Sequence, residues 1–303
     1  MRNLQTILSK SLSLASRKSY RHSWDIFIEF CSKSELPCSI PLSQHVLLMF
    51  ISYLDLKELA PATISSHMSA LSYVHKVLDF KDTTKNFLVT KALVSCYKKY
   101  QKIDKRLPIT MDILDKIIFA TEHVLDNHYE ITMFKAMFSL AFHAFLRIGE
   151  ITVNSLKQEN INLLKLENVN ITDVIEITFT HFKHYKGQPF TLQVKPKQKA
   201  KNCPVSLLKK YLNISPCNLK NKPLFQTSPG IPVLRSKFDK ILKQTLSFCN
   251  INNTNYKGHS FRIGSASEAS RQGLNDDKIK ELGRWNSNAY KKYIRLSYRV
   301  SSF

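Results

Sequence analysis

A helical period that holds from residue 15 to residue 146 and then gives way, once and briefly, to strict alternation limits the folds open to this chain. Tyr20, Trp24, Phe27 and Cys31 recur at helical spacing, which predicts a helix over 15–35 that stops before Pro37. A second helix is expected over 43–56 on Val46, Phe50, Tyr53 and Leu54. A third opens at Pro61 and carries the stripe Ile64, Met68, Leu71, Val74 and Leu78. Thr63, Ser66 and His67 then project away from the core, free for a phosphate, and a fourth helix covers 86–102. Four amphipathic helices with short connections make a small bundle. The polar run Lys102-Ile103-Asp104-Lys105-Arg106-Leu107-Pro108 reads as a boundary, giving domains 1–104 and 105–303.

In the second part Thr110 caps a helix to Val124, and a nearly all-apolar, hence buried, helix follows from Tyr129 to Leu146. The Arg147 that follows it must snorkel or serve a polar site. Ile175, Ile177, Phe179 and His181 then alternate with Glu176, Thr178 and Thr180, as in a half-exposed strand. Lys186 to Pro189 is a turn, Phe190–Val194 the return strand, and 163–172 a candidate third strand. Helices are expected from Pro204 and Pro232, over 260–272 and 275–282, and from Ser287. Gly273 and Gly283 stand where left-handed caps are wanted. The fold class is mainly α with a small antiparallel β-sheet.

Charge narrows the function. The chain carries a net +22, with +6 in residues 1–104 and +16 in 105–303. A protein this basic usually meets a polyanion, most often nucleic acid. Six scattered cysteines without a C-x-x-C pair argue against a zinc site and against a secreted disulfide framework. No signal-peptide-length run and no 18-residue apolar stretch points to secretion or to a membrane.

The last fifty residues concentrate the chemistry: Gly258-His259-Ser260-Phe261-Arg262, Leu282-Gly283-Arg284-Trp285 and Tyr290-Lys291-Lys292-Tyr293-Ile294-Arg295. His259 and Arg262, at i and i+3, share a helix face near an N-terminus, where an anion is the natural partner. A tyrosine that attacks a phosphodiester needs in-line geometry, cations on the non-bridging oxygens and a proton donor for the leaving oxygen. It needs no metal, and no acidic cluster suited to one is seen. Tyr290 and Tyr293 are both candidates, and spacing does not choose between them.

These motifs, with KRLPIT, FLRIGEI, THFKHYKGQP and NCPVSLLKKYL upstream, resemble the tyrosine recombinase (phage integrase) family, and within it the transposon-borne crypton, Ngaro and DIRS types. The resemblance implies an N-terminal helical core-binding (SAM-like) domain and an α+β catalytic domain that close as a C-shaped clamp on double-stranded DNA. It implies Arg147 and Arg262 as the phosphate-binding pair, Glu150 as their acidic support and Lys183 as general acid. His259 becomes the histidine of H-x-x-R and Tyr293 the nucleophile, with Tyr290 left to packing. Arg284 and Trp285 cover the position where many members carry a second histidine and some a tryptophan. Trp285 is taken as the phosphate contact, a donor that cannot act as a base, and Arg284 as a supporting residue. The implied activity is site-specific recombination through a 3′-phosphotyrosine, in mobile-element excision or integration. No cofactor, ATP or small-molecule substrate enters. The partners are DNA and three further copies, a homo-tetramer on two sites, in the nucleus of a eukaryote or the nucleoid of a prokaryote. Ten residues follow Tyr293, room for the end of one helix and a short tail, where many members exchange a long one. The competing readings are a catalytically idle DNA-binding protein and a type IB topoisomerase-like relaxing enzyme.

Overall fold

A computed structural model describes residues 12–100, 104–157, 161–182, 187–197, 200–215 and 219–295. It divides into two compact units, Met1–Asp104 and Lys105–Phe303. No described helix is long and apolar enough to cross a membrane.

The first unit holds helices α1 (Leu14–Lys33), α2 (Gln44–Leu56), α3 (Pro61–Val77) and α4 (Phe87–Lys99). Ser13 and Ser43 cap α1 and α2 by accepting from the backbone N–H of Ser16 and Val46, and Pro61 opens α3. Phe27, Phe30 and Phe50 meet at centroid distances of 5.1–6.4 Å and form the centre of the core with Leu47, Leu54, Ile64 and Leu71. Two expectations fail here. His67 is buried edge-on against Phe50, so it has no access to a phosphate; only Thr63 and Ser66 are exposed. Leu78 is exposed, because α3 stops at Val77 and Leu78 only caps it.

In the second unit α5 (Met111–Val124, capped by Thr110) and α6 (His128–His143) pack with α7 (Pro204–Asn213) and α8 (Arg235–Phe248). Buried Met133, Phe134, Met137, Phe138, Leu140 and Ala141 surround most of α6, as its composition requires. That helix ends three residues earlier than its apolar run. Phe145 turns left-handed at φ 50°, and the N–H of Leu146 closes back onto the carbonyl of Ala141. Strands β1 (Val169–Ile171), β2 (Ile175–Phe179) and β3 (Phe190–Val194) form an antiparallel sheet in that order, Ile177 facing Val169 and Leu192. Alternate residues of β2 are buried, matching the sequence alternation.

Pro232 does not open α8. It lies in β5 (Ile231–Pro232), paired with β4 (Gln226–Ser228), and α8 begins only after Val153 and Val233 have paired and the N–H of Arg235 has bonded Val153. Helices α9 (His259–Arg271) and α10 (Asp276–Gly283) follow. Gly273 is left-handed at φ 78°, but Gly283 is not: the residue at φ 53° is Arg284. Gly283 is needed for a different reason. A Cβ there would lie 1.7 Å from Cζ3 of Trp285, so the indole occupies the space that any side chain would need. The last described element is a 3₁₀ turn, Asn288–Tyr293, capped by Ser287. Tyr290 is fully buried within it, beside Trp285.

Candidate active site

Four segments of the second unit meet around one imidazole. His259 and Arg262 come from the first turn of α9 and Arg147 and Glu150 from the turn after α6. Arg284 and Trp285 follow α10, and Tyr293 ends the 3₁₀ turn. The hydroxyl of Tyr293 lies 2.7 Å from Nε2 of His259. Tyr293 is held there by Ser267 of α9, whose hydroxyl donates to the Tyr293 carbonyl at 3.3 Å and accepts from the N–H of Arg295 at 2.8 Å. Between the two candidate phenols, only Tyr293 faces the histidine.

Arg262 is 1% exposed. Its Nη1 donates to the carbonyl of Phe145 and its Nη2 to that of Gly283, while Nε has no partner among the described residues. The Trp285 ring lies over its guanidinium at 4.0 Å and the Tyr293 ring at 5.9 Å. Burial, then the neighbouring Arg147 and Arg284, pull its pKa well below the usual value. The left-handed Phe145 is strained for a non-glycine residue, and its carbonyl is the acceptor for Arg262 and, at 3.5 Å, for Arg284.

Glu150 joins the other cations. Its Oε2 accepts from the backbone N–H of Arg147 at 2.9 Å and from Nη2 of Arg284 at 2.7 Å, and its Oε1 from Nη1 of Arg147 at 3.2 Å. Glu150 and Arg284 are both buried, and Arg147 is partly exposed. Burial takes the Arg284 pKa down to about 10, against the raising effect of Glu150. The guanidinium of Arg284 also lies 3.7 Å above the ring of Phe179, the last residue of β2. Arg284 thus ties the hairpin to the acidic support. Lys183, just beyond that strand, lies outside the described residues.

His259 is neutral at pH 7. Burial, then the charges of Arg106, Arg262, Arg235 and Arg147, lower its pKa to about 4. Two of these arginines escaped the sequence reading. Arg106 reaches the site because 107–109 runs along 255–260, with Leu107 N–H on the Asn255 carbonyl and Ile109 N–H on that of Ser260. Arg235 opens α8 against Gly258. The charged K-R-L-P run was a usable signal for Arg106; Arg235 had none.

His143, half-buried on α6 near Lys197, is also lowered to about 4 by desolvation and then by the Lys197 charge. The stability that both histidines contribute is full above the ordinary value of 6.5. It falls as pH drops below that, because the unfolded chain takes up the protons first, and is lost by about 4. Thermal melts of the DNA-free protein should therefore show Tm falling between pH 6.5 and 4.5. His143→Gln and His259→Gln should each flatten that slope. A pH-independent Tm in the wild type would contradict these assignments.

The model of the phage integrase family matches residues 110–299. The chain belongs to that family. The matched span contains every residue of this site named above except Arg106. Solved structures of family enzymes share the fold at low identity. The XerH site-specific recombinase in a post-cleavage complex with palindromic difH substrate is 15% identical. It aligns over 94% of this chain and 77% of that one, with a TM-score of 0.64. The Tn1549 transposon integrase in complex with transposon right end DNA is 13% identical over 90% of this chain and 87% of that one, at 0.59. A lambda integrase dimer bound to a COC′ core site is 13% identical over 96% and 75%, at 0.59. No curated protein matches the chain.

Proposed function

We propose that the chain is a site-specific DNA recombinase of a mobile element, with Tyr293 as the nucleophile. The observation that carries this reading is the 2.7 Å contact between the Tyr293 hydroxyl and a neutral His259, set among arginines. The hydroxyl proton passes to Nε2 of His259 as the Tyr293 oxygen bonds to phosphorus. The bond from phosphorus to the 5′ oxygen breaks, leaving a 3′-phosphotyrosine. Lys183, by resemblance, donates the proton that makes the 5′-hydroxyl. A 5′-hydroxyl from a partner strand reverses the step, so the bond energy stays in the protein–DNA link.

Arg147 and Arg262 stabilise the charge that builds on the non-bridging oxygens. Trp285, whose indole N–H makes no hydrogen bond among the described residues, supplies a further donor. Arg284 supports the site through Glu150. Arg262 lies beneath Trp285 and Tyr293, so a phosphate reaches it only when the Tyr293 turn shifts. Residues 1–104 act as the core-binding domain and 105–303 as the catalytic domain, on two DNA sites held by a tetramer.

A pool of nicked duplexes of randomised sequence tests this reading, because a nick just 3′ of the cleaved bond lets the short fragment with the freed 5′-hydroxyl diffuse away and traps the adduct. Wild-type protein should yield an SDS-resistant protein–DNA adduct and Tyr293→Phe none. Salt-dependent DNA binding without any adduct would instead make the chain an idle DNA-binding protein.

A further inference from the structure

Arg235 belongs to none of the motifs that define the site, yet its charge acts on His259. A cation in the first turn of a helix opposes the helix dipole, so local stability does not explain it there. Two contacts fix its direction. Its Nε pairs with Oδ2 of Asp239, one turn along α8, at 3.4 Å. Its Nη2 lies so close to Gly258 that a Cβ on that residue would sit 3.0 Å away. Gly258 immediately precedes His259, so the guanidinium is delivered beside the imidazole.

The arrangement repeats that of Arg147. Each guanidinium is held by a carboxylate three or four residues on, Glu150 or Asp239, and each is partly exposed, at 23% and 35% of the side chain. Arg262 and Arg284 are closed in by comparison. The Nη groups of Arg235 make no hydrogen bond among the described residues, which leaves a planar fork free for an anion. Arg147 and Arg262 already serve the phosphate facing Tyr293. In a DNA strand the next anion available to a further guanidinium beside Gly258 and His259 is the neighbouring phosphate.

We propose that Arg235 binds the phosphate adjacent to the scissile one, with Asp239 as its positioning residue. The proposal rests on the strand-breaking reading above, and its test separates the two. Adduct formation is timed on captured duplexes in which each phosphate beside the cleaved bond is replaced, singly, by a neutral methylphosphonate. In the wild type one such replacement should slow the adduct about 10- to 100-fold, the range for losing a contact to a charged group. Arg235→Ala should be slowed by a similar factor and be indifferent to that replacement. Arg235→Lys should recover part of the rate and Asp239→Asn should lose part of it. A merely structural role gives additive losses, and an Arg235→Ala protein that keeps the full methylphosphonate effect overturns the proposal. If the wild type forms no adduct, the strand-breaking reading fails by itself. Arg235 is then judged by DNA binding, measured as anisotropy of a labelled duplex across salt. The slope of log K against log salt should fall by about 0.9 in Arg235→Ala, and an unchanged slope overturns the assignment.

Discussion

Glu150→Ala is expected to lower the stability of the second unit by about 3–5 kcal/mol, the cost of stripping the partner from a buried ion pair. Arg284 is 4% exposed, and Glu150 is the one carboxylate that meets its guanidinium among the described contacts. Without Glu150 that charge stays buried, with Nε and Nη1 already unpartnered. The N–H of Arg147 loses its acceptor as well. The chain has two tryptophans, Trp24 in the first unit and Trp285 in the second. In a Trp24→Phe background, Trp285 fluorescence during urea unfolding therefore reports the second unit alone. The decisive comparison is Glu150→Ala against the double variant Glu150→Ala/Arg284→Leu. Removing both charges should restore much of the loss, because an apolar replacement of the pair avoids the stranded cation. If the double variant is as unstable as the single one, the loss is a packing defect and the electrostatic account is wrong.

The same pair shows what could be read from the chain before its fold. Arg147 was legible because an arginine directly after a buried apolar helix needs a polar reason to be there, whereas Glu150 came only from the motif resemblance. His259, Arg262 and Tyr293 were legible because helical spacing sets the first two on one face, and the motif resemblance selects between the two phenols. The full burial of Arg284 was not legible. It depends on a left-handed residue after α10 and on Phe179 arriving from a sheet more than a hundred residues earlier. Arg235 was hidden for a similar reason, since it reaches the site through a close approach between distant segments, while Arg106 lay in a charged run that offered a signal. Local signals misled where two placements were equally good. Pro232 is as suitable a first helical residue as Pro204, and only its pairing with Gln226 decides for a strand. His67 lies one position from the apolar stripe, and the core of the first unit is wide enough to include it. The alternation of 175–179, by contrast, carries over to the structure almost unchanged, because a period of two leaves one face to bury.

Arg262→Lys should slow adduct formation about 10²- to 10³-fold, the scale for losing one preorganised donor to a developing oxyanion. The charge survives this substitution, so the loss isolates geometry. The guanidinium of Arg262 reaches two carbonyls at once, those of Phe145 and Gly283, and keeps further N–H groups for a phosphate. An ammonium offers three donors from a single point and cannot span both carbonyls while facing an anion. At least one of those buried carbonyls then loses its Arg262 donor, and Phe145 keeps only the long 3.5 Å contact from Arg284, which should also cost about 1–3 kcal/mol of stability. The two effects separate by temperature. Well below Tm the protein is folded, and a residual rate defect there belongs to the transition state. The stacking of Trp285 on the guanidinium supplies an independent readout: Trp285 fluorescence, in the Trp24→Phe background, should change in Arg262→Lys even without DNA. A variant with wild-type adduct kinetics would remove Arg262 from the chemistry and leave it as a strut between α9, Phe145 and Gly283.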